Sequence, residues 1–114
     1  MNLQRLTSPP AGPAAAPNRL TATEALTALQ SGRLSAVSLV SACLQRIADR
    51  DDDVKAWLCL NPDALAQAEA LDALPPGQRG RLHGLPIGVK DVFETKDMPT
   101  TFNSPNFEGH RPGQ

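Results

Sequence analysis

One lysine in this 114-residue sequence has surroundings that could give its amine a chemical role. Lys90 follows Ile-Gly-Val and precedes Asp-Val-Phe, so a cation is placed within a run of apolar residues. Removing water from around an amine favours its neutral form, and a neutral lysine can accept a proton as a general base. The residue types therefore predict a basic catalytic group at Lys90. The alternative is a lysine at a strand end whose amine extends into solvent, and spacing alone does not decide between the two.

The segment that carries this lysine has the composition of a β-strand. Residues 82–93 are rich in β-branched side chains and are interrupted by glycine. By alternation Lys90 shares one face with Gly88 and Val92, and Asp91 points to the other face. Gly88 leaves room beside the lysine for another backbone or a substrate. We therefore predict one core β-strand here, although no other segment is an obvious partner strand.

The residues before this strand predict helical hairpins. Residues 21–24 fit a capping box, and Gly32 is placed to end the helix that follows. Ser35 is the expected N-cap of a second helix, in which apolar residues recur at helical spacing. The Asn-Pro pair at 61–62 predicts the start of a third helix, and the Pro-Pro-Gly run at 75–77 ends it.

Composition defines the two ends of the chain and its broad class. Residues 1–20 are rich in proline and alanine and are expected to be a flexible leader, and the proline-rich residues 97–114 are expected to be loop. Eleven Lys and Arg balance twelve Asp and Glu, which argues against a nucleic-acid partner. No apolar run is long enough to span a membrane, so no membrane partner is expected.

Several other reactive side chains are expected to have structural roles. The two cysteines have no metal-site or disulfide spacing, and we predict that they are small buried side chains in a cytoplasmic protein. The aspartates at 51–53 predict a solvated turn rather than a metal site, because consecutive carboxylates do not converge on one ion. His83 is expected to cap the strand or to bond a neighbouring carbonyl rather than to act as a general base. Asp91 is expected to make a fold-supporting hydrogen bond, and the threonines at 100–101 are expected to bond within a turn.

The same residues carry a family resemblance. The string LHGLPIGVKD at residues 82–91, followed by Pro-Thr-Thr at 99–101 and Ser-Pro at 104–105, resembles the opening of the amidase signature family. The upstream string GRLSAV at 32–37 is similar to that family's N-terminal helices, so the resemblance covers about residues 21–112. It implies an α/β fold in which the chain is the N-terminal fragment of an amidase domain: helical hairpins, one core β-strand and a Pro-rich loop.

The resemblance also implies a catalytic role for Lys90. In the amidase signature family the matching lysine belongs to a Ser–cis-Ser–Lys triad that hydrolyses carboxylic amides through an acyl-enzyme. That family's Gly/Ser-rich run, which supplies both serines, lies downstream of the lysine, and residues 21–114 contain no such run. Ser104, the serine nearest to the lysine in sequence, has no surroundings typical of a nucleophile. We therefore expect Lys90 to be the one triad member in this chain, and the chain alone to be inactive.

Two classes of function stay open at this point. The first is an N-terminal fragment of an amidase that cleaves carboxylic amide C–N bonds, or of a tRNA-dependent amidotransferase A-type subunit, which shares the signature. The second is a non-catalytic interaction module or a degenerate remnant. For the full-length parent the resemblance implies a small-molecule amide substrate and no cofactor. The substrate's identity and the oligomeric state stay open, with a homodimer as one arrangement.

Overall fold

The computed structural model describes residues 16–101, 104–107 and 109–111. Within these residues the regular elements are all helical. The three α-helices are α1 (Ala22–Gln30), α2 (Ala36–Val54) and α3 (Ala64–Asp72), and the shorter 3-10 turns are Pro17–Arg19, Pro76–Gln78 and Pro105–Phe107. None of the described helices is long and apolar enough to cross a membrane.

The start and end of α1 follow the predicted local signals. The Thr21 hydroxyl oxygen accepts a hydrogen bond from the Glu24 backbone N–H at 3.2 Å, as an N-cap does. The same hydroxyl donates to the Glu24 carboxylate at 3.0 Å. After the helix, Gly32 has a φ of +78°, the left-handed conformation that glycine adopts without a steric penalty. Both predicted boundaries of this helix are confirmed.

The start of α2 has two caps, one local and one distant. Ser35 is the predicted N-cap, and its hydroxyl oxygen accepts from the Ser38 N–H at 3.0 Å. The carboxylate of Asp72, at the end of α3, accepts from the N–H groups of Ala36 at 2.7 Å and Val37 at 3.1 Å. Free N–H groups give a helix start its partial positive charge, so a carboxylate there is stabilising. This cap fastens α3 to the start of α2.

The aspartates at 51–53 belong to the last turn of α2, which continues through Val54. The helix ends at Lys55, whose φ of 55° is left-handed. The Asp51 carboxylate accepts from the Ala56 N–H at 2.7 Å and so holds the chain where it leaves the helix. Residues 51–53 are thus helical rather than a separate turn.

The third helix begins two residues later than predicted. Its N-cap is Asp63 rather than Asn61. The Asn61 side-chain oxygen accepts from the Asp63 N–H at 2.9 Å, and the Asn61 backbone carbonyl accepts from the Ala64 N–H at 3.2 Å. Asparagine readily forms this local turn, which here takes the place of the first helical residues.

A small core joins the three helices to the segment after them. Its buried apolar residues are Ala25, Leu29, Ala36, Leu39, Val40 and Ala68. Gly84 is buried against this core with a φ of +81°. A Cβ atom at Gly84 would lie 3.2 Å from both the Ala36 Cβ and the Leu29 Cδ2 atoms. The close approach and the backbone conformation both require glycine at this position.

The predicted core β-strand, and with it the α/β fold class, is wrong for the described chain. Residues 81–84 form turns, residues 85–90 have no regular secondary structure, and another turn begins at 91. A strand needs a neighbour to pair its backbone groups, and no other segment among the described residues supplies one. Pro86 also lacks an N–H, and Gly84 is left-handed, so neither fits an extended ladder.

The predicted flexible leader falls largely on residues 1–15, which lie outside the described residues. The described chain starts just before the turn Pro17–Arg19. Leu20 then packs, partly buried, against the helical core. The residue immediately before the α1 cap therefore already contributes to the packed structure.

Candidate functional site

Lys90 lies on the surface of the described chain. The residue is exposed, and the backbone around it has no regular secondary structure. Its backbone carbonyl accepts from the Phe93 N–H at 3.0 Å, which closes the turn after the lysine. The expectation that this amine is held in a water-poor strand is therefore wrong for the described residues.

Asp91 connects two of the sequence strings that carry the family resemblance. Its carboxylate accepts from the Thr101 N–H at 2.7 Å and also from the Thr101 hydroxyl. This pair of bonds ties the residue after Lys90 to the Pro-Thr-Thr string ten residues later. The expected fold-supporting hydrogen bond of Asp91 is confirmed. The bonds of Asp91 thus hold the backbone beside Lys90 against the loop that contains Thr101.

Thr100 is the buried polar residue beside this anchor. Only 1% of it is exposed. Its hydroxyl donates to the Phe93 carbonyl at 3.3 Å, and its backbone N–H donates to the His110 carbonyl at 2.8 Å. The two threonine hydroxyls therefore bond partners seven and ten residues away. The predicted bonding within a turn is limited to the Thr101 carbonyl, which accepts from the Ser104 N–H. The hydrogen bonds of the two threonines hold the loop that follows the lysine.

The space beside Gly88 is filled by an aromatic ring. A Cβ atom at Gly88 would lie 2.9 Å from Cη2 of Trp57 and 3.3 Å from its Cζ3. The sequence predicted room here for a backbone or a substrate, and in the described structure Trp57 takes that room. The contact joins segments about thirty residues apart. No local sequence signal predicts it.

The other candidate side chains do not converge on Lys90 through any hydrogen bond of the described chain. His83 is half-buried, and its Nε2 atom is buried without a hydrogen-bond partner among the described residues, so the expected bond to a carbonyl is not formed there. The Ser104 hydroxyl accepts from the Asn106 N–H at 3.4 Å, and the Ser104 N–H donates to the Thr101 carbonyl at 2.9 Å. These two hydrogen bonds give Ser104 a structural role in its loop.

The two cysteines differ in environment. Both are free thiols; Cys43 is half-buried against the core, whereas Cys59 is exposed, so the expectation of burial is wrong for Cys59. Burial raises the pKa of the Cys43 thiol, because desolvation disfavours the thiolate. The described residues contain no group of His, Cys, Asp and Glu side chains that could hold a metal ion.

The family of the chain follows from comparison with known proteins. The family model described as Amidase matches residues 38–114, which is more than half of the chain and includes Lys90, Asp91 and Thr101. The chain therefore belongs to the amidase family. No solved structure matches it.

Curated relatives are similar over most of this chain. A glutamyl-tRNA(Gln) amidotransferase A-type subunit from Thermobifida fusca is 47% identical over 94 residues, 80% of this chain and 19% of the relative. The protein of the same name from Desulfotalea psychrophila is 42% identical over 87 residues, 75% of this chain and 18% of the relative. An amidase from Pseudomonas putida is 37% identical over 92 residues, 79% of this chain and 20% of the relative. The chain thus spans about a fifth of the length of these relatives.

Proposed function

We propose that this chain is the lysine-bearing portion of an amidase-type catalytic domain, in which Lys90 is the base of a Ser–cis-Ser–Lys triad that cleaves carboxamide C–N bonds. The observation that carries the proposal is the family match over residues 38–114, within which Lys90 stands in the string that resembles the family's catalytic lysine motif. The bonds between Asp91 and Thr101 support it, because they fix the backbone next to the lysine.

The chemistry requires an uncharged amine. A neutral Lys90 would accept the proton of the bridging serine, which would in turn accept the proton of the nucleophilic serine as that oxygen attacks the amide carbon. The C–N bond breaks as the departing nitrogen receives a proton, and water then hydrolyses the acyl-enzyme ester. In the family both serines come from a Gly/Ser-rich run downstream of the lysine, and residues 21–114 contain no such run. The isolated 114 residues are therefore expected to be inactive.

A second candidate function is the same chemistry within a glutamyl-tRNA(Gln) amidotransferase. The relatives of that name from D. psychrophila and T. fusca are 42% and 47% identical to this chain, and the P. putida amidase is 37% identical. Higher identity to the amidotransferase relatives favours this candidate. Both candidates share the attack on a carboxamide carbon and the same proposed base. A test of Lys90 therefore applies to either.

A chimera tests the proposal. The 92-residue stretch of the P. putida amidase that matches this chain is replaced by the corresponding residues of this chain, and ammonia release from simple primary amides is measured. We expect the chimera to be active, and Lys90→Ala to lower kcat by at least about 10³-fold, because triad members act as a unit. Lys96→Ala is the matched control, since Lys96 lies in the next loop. A Lys90→Ala chimera as active as the Lys96→Ala chimera contradicts the proposal.

A further inference from the structure

A cavity lies where the end of α1 meets the loop that follows α3. Its volume is about 360 Å³, and it is lined by Leu29 and Gln30 of α1 and by residues of the segment 76–83. Cavities that bind small molecules in proteins have volumes of roughly 300–1,000 Å³. The cavity is therefore large enough for a small organic molecule.

The charged walls of this cavity are all basic. Arg79, Arg81 and His83 line it, and none of the described residues that line it is an Asp or a Glu. The acid nearest in sequence, Asp72, directs its carboxylate to the first two N–H groups of α2. Two guanidinium groups, which are charged at every ordinary pH, thus share one cavity without a carboxylate to neutralise them.

Arg79 is held in a fixed orientation. Its Nε atom donates to the Leu74 carbonyl at 2.9 Å, and its Nη2 atom donates to the Asp72 carbonyl at 3.2 Å. A guanidinium has five N–H donors, so these bonds leave three without a partner among the described residues. An arginine whose orientation is already fixed loses little side-chain entropy when it binds an oxyanion.

The two other basic side chains also have unused bonding capacity. The exposed Arg81 guanidinium forms no hydrogen bond or ion pair with the rest of the described chain. The buried Nε2 atom of His83 likewise has no described partner, and a buried polar atom without a partner costs free energy. Rotation of the imidazole toward a bound oxyanion would give this atom a hydrogen bond.

The carbonyls at the end of α1 have their own donors. The Ala28 carbonyl accepts from the Leu34 N–H at 3.2 Å and from the Ser31 hydroxyl at 3.1 Å. The Leu29 carbonyl accepts from the Gly32 N–H at 3.3 Å. Free carbonyls give a helix end its partial negative charge, which would repel an anion, and these bonds reduce that charge. The positive charge of the two arginines is therefore available to an added ligand.

We propose that this cavity binds a small phosphate monoester. The phosphate group of a monoester carries about −1.5 to −2 charges at neutral pH and presents three acceptor oxygens. It therefore matches two guanidinium groups better than a carboxylate does, with its single charge and two oxygens. Leu29 and Pro76 supply apolar walls for the organic part of the ligand. Lys90 does not line this cavity, and the inference does not rest on the proposed function.

Nuclear magnetic resonance titrations of the full 114-residue chain test the site. The ¹⁵N-labelled chain is titrated at neutral pH and constant ionic strength with phenyl phosphate, benzoate and benzyl alcohol, which share a ring and differ in charge. We expect saturable shifts of the Gly80, Arg81 and His83 amide signals with phenyl phosphate. Benzoate should bind at least about tenfold more weakly, and benzyl alcohol should cause no saturable shift.

Two arginine variants separate the cavity from the overall charge of the chain. Arg81→Ala is expected to raise the Kd of phenyl phosphate at least about tenfold, because it removes one of the two guanidinium groups. Arg50→Ala is the matched control, since Arg50 is exposed on α2 and does not line the cavity. Circular dichroism of both variants verifies that the helices remain.

The outcomes either support or overturn the proposal. A loss of phenyl phosphate binding in Arg81→Ala that Arg50→Ala does not share supports it. The proposal is overturned by the absence of saturable phenyl phosphate binding, or by benzoate or benzyl alcohol binding as tightly. Equal losses of affinity in the two arginine variants also overturn it.

Discussion

Gly84 is the position where one added methyl group should have the largest effect on this fold. Two independent features meet there: a left-handed φ of +81°, and a close approach to Ala36 and Leu29 that leaves 3.2 Å for a Cβ atom. Gly84→Ala therefore combines a backbone penalty with overpacking of the core. We expect it to lower the free energy of unfolding substantially.

The expected loss of stability is the sum of a backbone cost and a packing cost, and substitutions at two other glycines separate the two. A left-handed L-residue costs about 1–2 kcal/mol, and overpacking a core by a methyl group costs about 1–3 kcal/mol. Loss of unfolded-state entropy returns about 0.4–1 kcal/mol. The expected net loss is about 1–4.5 kcal/mol for Gly84→Ala. Gly32→Ala, with a φ of +78° but nothing within 4 Å, should show the backbone penalty alone, and Gly80→Ala, with nothing within 4 Å and no positive φ, should show neither.

Urea unfolding followed by far-ultraviolet circular dichroism measures all three variants against the wild-type chain. The predicted order of destabilisation is Gly84→Ala, then Gly32→Ala, then Gly80→Ala, with the last within about 0.5 kcal/mol of wild type or slightly more stable. Gly84→Ala no more destabilising than Gly32→Ala would refute the packing of residue 84 against the first two helices.

Two further predictions concern the helices and the thiols. Asp72→Ala removes the carboxylate that accepts from the first two N–H groups of α2, and should lower the free energy of unfolding by about 1–2 kcal/mol in the same urea assay. Asp52→Ala is the control and should lower it little, because the exposed Asp52 side chain forms no described hydrogen bond. Equal losses of stability in the two variants would contradict the cap. Cys43 should react with iodoacetamide more slowly than Cys59. Because burial raises the pKa of Cys43 in the folded state, the folded thiol keeps its proton to higher pH than the unfolded one. The free energy of unfolding should therefore fall as pH rises above the ordinary thiol pKa of 9.0. Cys43→Ala should flatten that fall, and an unchanged slope would contradict the raised pKa.

Local signals were sufficient for the caps of the first two helices. Thr21 and Ser35 each bond an N–H three residues later, and such short-range geometry depends on residue type and spacing alone. The start of α3 was misplaced by two residues because Asn61 can form either a cap or a turn, and both patterns have the same sequence. Boundaries of this kind are set by competition between local bonds.

The strand prediction failed for a physical reason of a different kind. A strand is stable through pairing with another strand, so residues 82–93 can have strand composition without being a strand among the described residues. The contacts that do organise this region join Gly84 to the helical core, Trp57 to Gly88, and Asp91 to Thr101. The first two cross many residues of chain, and no periodicity predicts them. Asp91 was expected to make a structural bond, but its partner was not identified.

The most direct test of the central claim is the structure of the active chimera between this chain and the P. putida amidase. We predict that Lys90 is buried in the chimera, with its Nζ atom within hydrogen-bond distance, about 2.6–3.2 Å, of a serine hydroxyl supplied by the amidase portion. A chimera that releases ammonia while Lys90 still extends into solvent, with no serine in reach, would contradict the assignment of this lysine as the catalytic base.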